Sequence, residues 1–579
     1  MIPMTINDPR LSTLLEHSAY ASRWLAAQPQ WVEGLVSGAN TPIDSAVIEK
    51  ILEPVYQVLN QESPNLEVLS SQLRLSRQKL MLGLALRDLS GLADVSEVTC
   101  AMSYFAERVV AIGVDALHKD MYPMVGEPQA QDGQYSPIII VGMGKLGGLE
   151  LNLSSDIDLI FLYEHEGDTQ GGPKSLSYHE WFTRMGKRLI KLLAEHDENG
   201  FVFRVDMRLR PNGDSGPLVC SLDMLEEYLL VQGREWERYA WIKGRLIAPL
   251  PGSLDFAHCE RELDQLIRPF VYRRHLDYGV IASIRELHAQ IQHEAEKRSS
   301  HHHGRSRDIK LGRGGIREIE FLAQMFQLMR GGTDPRFRIR PTLEVLELLK
   351  QQEILPANEV DELKKAYVYL RRLEHRIQVW EDQQTHYLPE DEVARSRLAA
   401  SMGGPDQTQE QATFLSELDQ HQAAVALYFE KAFVLDDAAR LDSASLPAGW
   451  EPDGALFPES AARWLAWADS SKQRQLPEKS RVIFNNLIRK AADSLQVDQP
   501  IAISADQTLL RFFDLLEAVA RRSAYLSILS EYPQALSNVL ALLKASQWGA
   551  EYLTRHPHLL DYLLNSRTEK ALIENPEQY

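Results

Sequence analysis

The sequence predicts a mostly α-helical protein with one compact α/β block followed by helical bundles. Three observations carry this expectation. Apolar residues spaced three and four apart dominate the chain. Strand signals are few and fall together between residues 125 and 250. A polar, turn-rich stretch, Asp436–Pro458, separates that body from a further helical region. At about 100–200 residues per domain, 579 residues allow three to five domains. The expected division is 1–124, an N-terminal helical region; 125–250, the α/β block; 251–435, a helical bundle; 436–458, a linker; and 459–579, the helical start of a second half.

In chain order, the first strand signal is Pro137–Val141, a short apolar run that ends in glycine. Ile157–Tyr163 and Phe201–Asp206 are the next two. Between them Trp181, Phe182, Met185, Leu189, Leu192 and Leu193 form one helical face. Further on, Leu363, Ala366, Leu370, Leu373, Ile377 and Trp380 set an apolar stripe on a helix over 361–381, with Lys364, Lys365, Arg371, Arg372 and Glu374 expected largely outside it.

Residues 18–35 and 546–563 also share an order of serine, aromatic, small residue, aromatic–leucine pair, proline and leucine. This reads as an internal repeat, and hence as a second half that stops before an α/β block of its own.

A net charge of −19, with 62 basic and 81 acidic residues, argues against coating nucleic acid or an anionic membrane. Cys100, Cys220 and Cys259 lie too far apart for a disulfide framework or a cysteine zinc site. The N-terminus shows no basic region followed by an apolar stretch, and no run of about 18 apolar residues occurs. A soluble, cytoplasmic protein is expected.

The chemistry concentrates in Val141–Phe161, VGMGKLGGLELNLSSDIDLIF. Side chains alternate across a strand, so Asp156 and Asp158, flanking Ile157, point to one face. Adjacent carboxylates repel, and a divalent cation between them relieves the repulsion. Hard oxygen ligands suit magnesium or manganese. Phe201, Phe203 and Val205 are expected to face the core, which puts Asp206 on the other side with Val202 and Arg204. Three strand-borne aspartates can hold two ions that clamp an in-line phosphoryl displacement. Gly147 and Gly148 lack a Cβ, so their N–H groups are expected close to phosphate oxygens. Lys145 adds charge nearby, and Ser155 joins the same nucleotide-binding set. This is not a P-loop, nor is it read as a G-x-G-x-x-G fingerprint with a following acidic residue for ribose.

The segments GMGKLGGLELNLSSDIDLIF, FTRMGKRLIKLL, FVFRVDMRLRP, GREWERYAWIKGR and IKLGRGGIREIEF resemble those of glutamine synthetase adenylyltransferase/adenylyl-removing enzymes. That resemblance runs to Tyr579 and implies a nucleotidyltransferase domain with a DNA polymerase β-like fold at 125–250. It implies metal-binding aspartates at Asp156, Asp158 and Asp206. It also implies that residues 1–440 are the half that removes AMP from a glutamine synthetase tyrosine by phosphorolysis, releasing ADP, and that the linker and the start of a second half, which would attach AMP from ATP, follow. Glutamine synthetase and a PII signalling protein are the implied partners, and glutamine the implied effector. Arg313 departs from the family pattern, in which a small residue is common there.

The glycine-rich run Lys310–Gly315 leads into a helix, and with Lys310 and Arg317 beside it the helix N-terminus suits a phosphate. Glu318 and Glu320 fit a capping role or a nucleotide contact equally. Of Arg208 and Arg210, one is expected to pair with a carboxylate and the other to reach substrate phosphate. Arg234–Arg238 reads as a charged helix face with Trp236 in the core. His301–His303 reads as a solvated loop. Two rival functions remain open: nucleotidyl transfer to another acceptor, as in a uridylylating relative, and a regulatory scaffold without activity.

Overall fold

The computed structural model describes residues 8–130, 133–249, 254–273, 307–403, 409–434 and 457–556, the last without 469, 475, 477, 497–501, 521–525, 527–528 and 530–532. His301–His303 and nearly all of the expected linker lie outside the described residues. Two compact units result. The first holds the described residues of 1–274 and 284–429, the second those from Glu430 onward.

Helices dominate, and local chemistry starts many of them. Asn65, Asp94, Ser177 and Ser221 each cap a helix with a side-chain oxygen, opening Leu66–Leu89, Val95–Val125, Tyr178–Ala194 and Leu222–Val231. The face expected on 178–194 is buried as a whole, from Trp181 to Leu193. No helix among the described residues is long and apolar enough to cross a membrane.

All five strands among the described residues fall between Ile139 and Ala248: β1 (Ile139–Gly142), β2 (Asp156–Tyr163), β3 (Arg204–Asp206), β4 (Val219–Ser221) and β5 (Arg245–Ala248). The sheet is mixed. β1 runs antiparallel between β2 and β5, while β3 and β4 pair in parallel along the head and tail of β2. Strands buried on both faces account for the unbroken apolar run of β2 after Asp158. The N-terminal helices and the sheet share one continuous core, in which Phe105 and Phe203 meet with ring centroids 6.0 Å apart.

Two expectations of sidedness fail. Only 204–206 is strand, so the alternation expected over 201–206 does not hold; Val202 is fully buried, as Phe203 is, and both N–H groups donate to Leu193 O. On the helix Ala357–Val379 the apolar stripe is buried as expected from Leu363 to Ile377, but so are Arg371 and Glu374. Periodicity marks the apolar face and is silent about a second, polar interface. Here that interface packs on the α/β block, where Arg371 donates to Glu150 O at 2.6 Å and Lys145 Nζ meets Glu374 at 2.9 Å.

The internal repeat has a counterpart in geometry. Ser18 caps the helix Ala19–Ala27 and Ser546 caps Gln547–Arg555, each serine oxygen accepting an N–H at 3.0 Å. The helices have nine residues each and end at Gln28 (φ −127°, ψ 63°) and His556 (φ −126°, ψ 66°). Residues 557–563 of the second copy lie outside the described residues. Within the second unit, Trp464, Trp467, Phe484, Phe512 and Phe513 anchor a separate core.

Further buried ion pairs tie the first unit together: Arg376 with Asp88, and Arg77 with Asp382 at 2.9 Å. Removing one partner of such a pair strands the other charge in the interior. Asp88→Ala is therefore expected to lower stability by about 3–5 kcal/mol in urea unfolding. The double change Asp88→Leu with Arg376→Met should cost less than Asp88→Ala alone.

Candidate active site

Asp156 and Asp158 flank the buried Ile157, and their side chains leave the same face of β2. The parallel register sets Arg204 beside Asp156 and Asp206 beside Asp158, so all three aspartates share one corner of the sheet. β1 leads into a short helix, Gly144–Gly147, whose first residue lies against this corner. Gly144 has φ +53°, and a Cβ there would stand 2.8 Å from Asp158 Oδ2, so a side chain would collide with the carboxylate.

A cleft of about 350 Å³ opens in front of these groups. Lys145, Ser155, Asp156 and Asp158 line one side, Trp236, Tyr239 and Lys243 another, and Lys310, Arg317, Glu320 and Gln324 the third. The structure thus gathers Lys145, Ser155, Lys310 and Arg317 of the expected nucleotide-binding set around the first two aspartates. Lys310 and Arg317 have no ion-pair partner among the described residues, and the Arg317 guanidinium lies 6.0 Å from the Tyr239 ring.

Other expected members are placed differently. The N–H groups of Gly147 and Gly148 donate to Met143 O (3.1 Å) and Gly144 O (3.0 Å), so they are spent inside the short helix. A Cβ on Gly147 would come within 1.8 Å of Lys243 O, so this glycine serves close backbone packing, while one on Gly148 would meet the Glu150 and Lys243 side chains. Arg208 is largely exposed and folds back on Asp206, donating from its own N–H at 2.8 Å and from its guanidinium. Arg210 bonds Met207 O at 2.8 Å and lies near Asp214, away from the cleft.

The helix Ile316–Arg330 does not offer a free N-terminus. The N–H groups of Ile316, Arg317 and Glu318 donate to Ile309 O, Lys310 O and Gly315 O, and Glu318 accepts from Gly314 N at 3.0 Å. Cations at its edge, and not its dipole, face the cleft. Trp236, expected in the core, is only partly buried and forms a cleft wall.

Electrostatics sort the carboxylates. Burial, with Asp156 and Asp206 alongside, pushes the Asp158 carboxyl up to about 7. Burial pushes Asp206 the same way, but the Arg208 hydrogen bonds outweigh it and hold Asp206 below its ordinary range. Asp156 Oδ1 accepts from Gln384 Nε2 at 2.6 Å. Burial lowers the Lys145 ammonium to about 7, against the pull of Glu374. Glu374 is held ionised by Lys145 and Arg371 in spite of its burial.

As they stand, no three His, Cys, Asp or Glu side chains among the described residues are gathered closely enough to hold a metal ion. Arg208 occupies Asp206 and Gln384 occupies Asp156. The donor set itself, hard oxygens crowded with like charge around a partly buried Asp158, is of the kind that divalent cations neutralise.

Sequence reasoning missed Lys243, Tyr239, Gln324, Glu374 and Gln384. Lys243 pairs with Glu150 in the interior, and Glu150 also accepts from Thr342 N at 2.6 Å. The run GREWERYAWIKGR contains both Tyr239, on the helix Glu235–Trp241, and Lys243, in the turn that follows it. Nothing local marks Glu374 or Gln384, which come from more than 200 residues away in the chain.

Comparison with known proteins comes to the same segment. Residues 9–254 match the sequence model of glutamate-ammonia ligase adenylyltransferase, and residues 285–433 match that of GlnD PII-uridylyltransferase. The chain is similar to the bifunctional glutamine synthetase adenylyltransferase/adenylyl-removing enzyme of Ralstonia nicotianae, 47% identical over 96% of this chain and 60% of that protein. The enzymes of the same name from Burkholderia pseudomallei (45% identical; 97% of this chain, 62% of that one) and Aromatoleum aromaticum (43%; 98% and 59%) are similar too. The chain spans about three fifths of the length of these curated relatives.

Folding raises the Asp158 carboxyl, so between about pH 4 and 7 the folded chain keeps a proton that the unfolded chain has released. The associated stability is complete at low pH and is lost as pH rises through 7. In chelator-treated protein, Asp158→Asn should therefore gain about 1–3 kcal/mol over wild type at pH 8 and nothing near pH 4, read from urea unfolding at both pH values.

Proposed function

We propose, for a chain that belongs to the glutamine synthetase adenylyltransferase/adenylyl-removing enzyme family, that its cleft transfers an adenylyl group between a glutamine synthetase tyrosine and phosphate. The direction we assign is removal. An oxygen of inorganic phosphate attacks the AMP phosphorus, the bond to the tyrosyl oxygen breaks, and ADP leaves. The electron pair stays on the phenol oxygen, which then takes a proton; with a pKa of about 10 the phenol is a moderate leaving group. The observation that carries the proposal is the shared corner of Asp156, Asp158 and Asp206, the first two lining one cleft with Lys310 and Arg317, cations without an ion-pair partner among the described residues.

Each residue then has a part. Lys310 and Arg317 gather the attacking phosphate and offset its charge. Trp236 offers a flat aromatic wall for the base. Lys145, fixed by Glu374, adds positive charge beside Asp158. Asp156, Asp158 and Asp206 are the residues that would hold Mg²⁺, or Mn²⁺, once Arg208 and Gln384 let go of them. Such ions supply electrostatic stabilisation of the attacking and leaving oxygens.

The relatives' name supports glutamine synthetase as the protein substrate. By the same kinship we propose PII protein as a partner and glutamine as an effector. A second reading, uridylyl transfer to PII, draws on the match of residues 285–433. That match holds Lys310, Arg317 and Gln384 but none of Asp156, Asp158 and Asp206, so it ranks behind the first.

Incubating the chain with adenylylated glutamine synthetase, Mg²⁺ and phosphate should release ADP. Asp156→Asn and Asp206→Asn should slow release by about a hundredfold or more with the thermal midpoint preserved. Transfer of label from UTP to PII in the parallel reaction would favour the second reading. Failure of both reactions would leave a scaffold and overturn the enzymatic proposal.

A further inference from the structure

We propose that His386 and Asp308 act as a bracket that positions Lys310 to receive the anionic part of the ligand, which makes His386 a positioning residue of this cleft. The inference rests on the reading of the cleft given above and adds a residue to it.

Lys310 is a difficult residue to place by itself. Its ammonium sits on a long, freely rotating stem, its segment is not part of a regular element, and it has no ion-pair partner among the described residues. Its charge is nevertheless felt across the cleft by Asp158, Lys145 and Glu374. Something must hold its backbone, and Asp308 does. Asp308 Oδ1 accepts from the N–H groups of both Lys310 and Leu311, each at 2.8 Å. The carbonyl of Lys310 accepts in turn from Arg317 N at 3.0 Å, which ties the two cleft cations to one turn of backbone.

The other oxygen of Asp308 faces His386. Asp308 Oδ2 and His386 Nε2 are 3.3 Å apart. The backbones are joined as well: Ile309 N donates to His386 O at 3.0 Å and Leu388 N to Arg307 O at 2.9 Å, so 307–309 and 386–388 form a two-rung antiparallel clasp. Asp308 is 9% exposed and His386 24%, so the contact is largely shielded from water. Although burial works against it, the Asp308 carboxyl lies below its ordinary range, through His386 and the two N–H donors. Two residues before His386, Gln384 donates to Asp156. One short segment therefore braces both the cationic side of the cleft and the first aspartate. A fixed lysine loses less freedom on binding an anion than a loose one, which is where the gain in affinity arises.

Calorimetric titration of the full chain with Mn²⁺ alone, and with ADP in its presence, tests the bracket. His386→Asn, with an unchanged thermal midpoint, is expected to weaken ADP binding about tenfold. His386→Arg, which keeps an N–H donor opposite Asp308, should recover most of that loss. On a Lys310→Ala background His386→Asn should cost nothing further, an outcome that a general loss of structure would not give. Wild-type affinity in His386→Asn, or an undiminished loss on top of Lys310→Ala, would overturn the bracket while leaving the cleft's assignment intact. A wild-type chain that takes up neither Mn²⁺ nor ADP would overturn both.

Discussion

The cleft exists because a helix from a distant part of the chain is bound to the sheet by buried charge. Glu374 and Arg371 enter the interior from the helix Ala357–Val379 and meet Lys145, Glu150 and Asn152 of the α/β block. Lys243 and Thr342 extend the same network through Glu150. No member could be buried singly, since an unpaired charge in the interior is costly. Together they fix which way the helix faces and how close it comes, and apolar packing alone specifies neither. Lys145 and the segment after the helix, with Gln384, are delivered to the aspartates by that fit.

A second constraint is the imbalance of charge within the cleft. Three aspartates share a corner where Asp158 is partly buried, and among the described residues Arg208 hydrogen-bonds to Asp206 and Gln384 to Asp156. Facing them, Lys310 and Arg317 lack a carboxylate of their own among the described residues. Opposite charges are thus present in number but are kept apart across open space. Such a separation stores an electrostatic demand that a ligand carrying both phosphate and cation satisfies.

Much of this was legible in the sequence, and the failures have physical causes. Helical periodicity located the faces of 178–194 and 357–379, and the alternation around Ile157 placed Asp156 and Asp158 on one side. Strand alternation failed at Val202, because the chain reaches β3 through an irregular stretch whose N–H groups are held by Leu193. Glycines at 147 and 148 suggested a phosphate cradle, but their N–H groups are committed to a turn of helix, and the bare Cα of Gly147 makes room for the Lys243 backbone. Composition cannot tell a glycine that makes room for a ligand from one that makes room for its own chain. Arg371 and Glu374 looked solvated because their partners are remote in sequence, and a helix wheel carries no information about such neighbours.

The paired serines, Ser18 and Ser546, separate what is local from what is acquired. Each shapes the start of a nine-residue helix in the same way. Ser18 also donates its hydroxyl hydrogen to Val379 O at 2.7 Å, and its neighbour Tyr20 is buried, while Trp548, at the matching place after Ser546, is 71% exposed. The shape of this small element is written within its own dozen residues, so duplication can copy it whole. Its surroundings are not copied with it, and each copy is free to evolve its own neighbours without relearning how to fold.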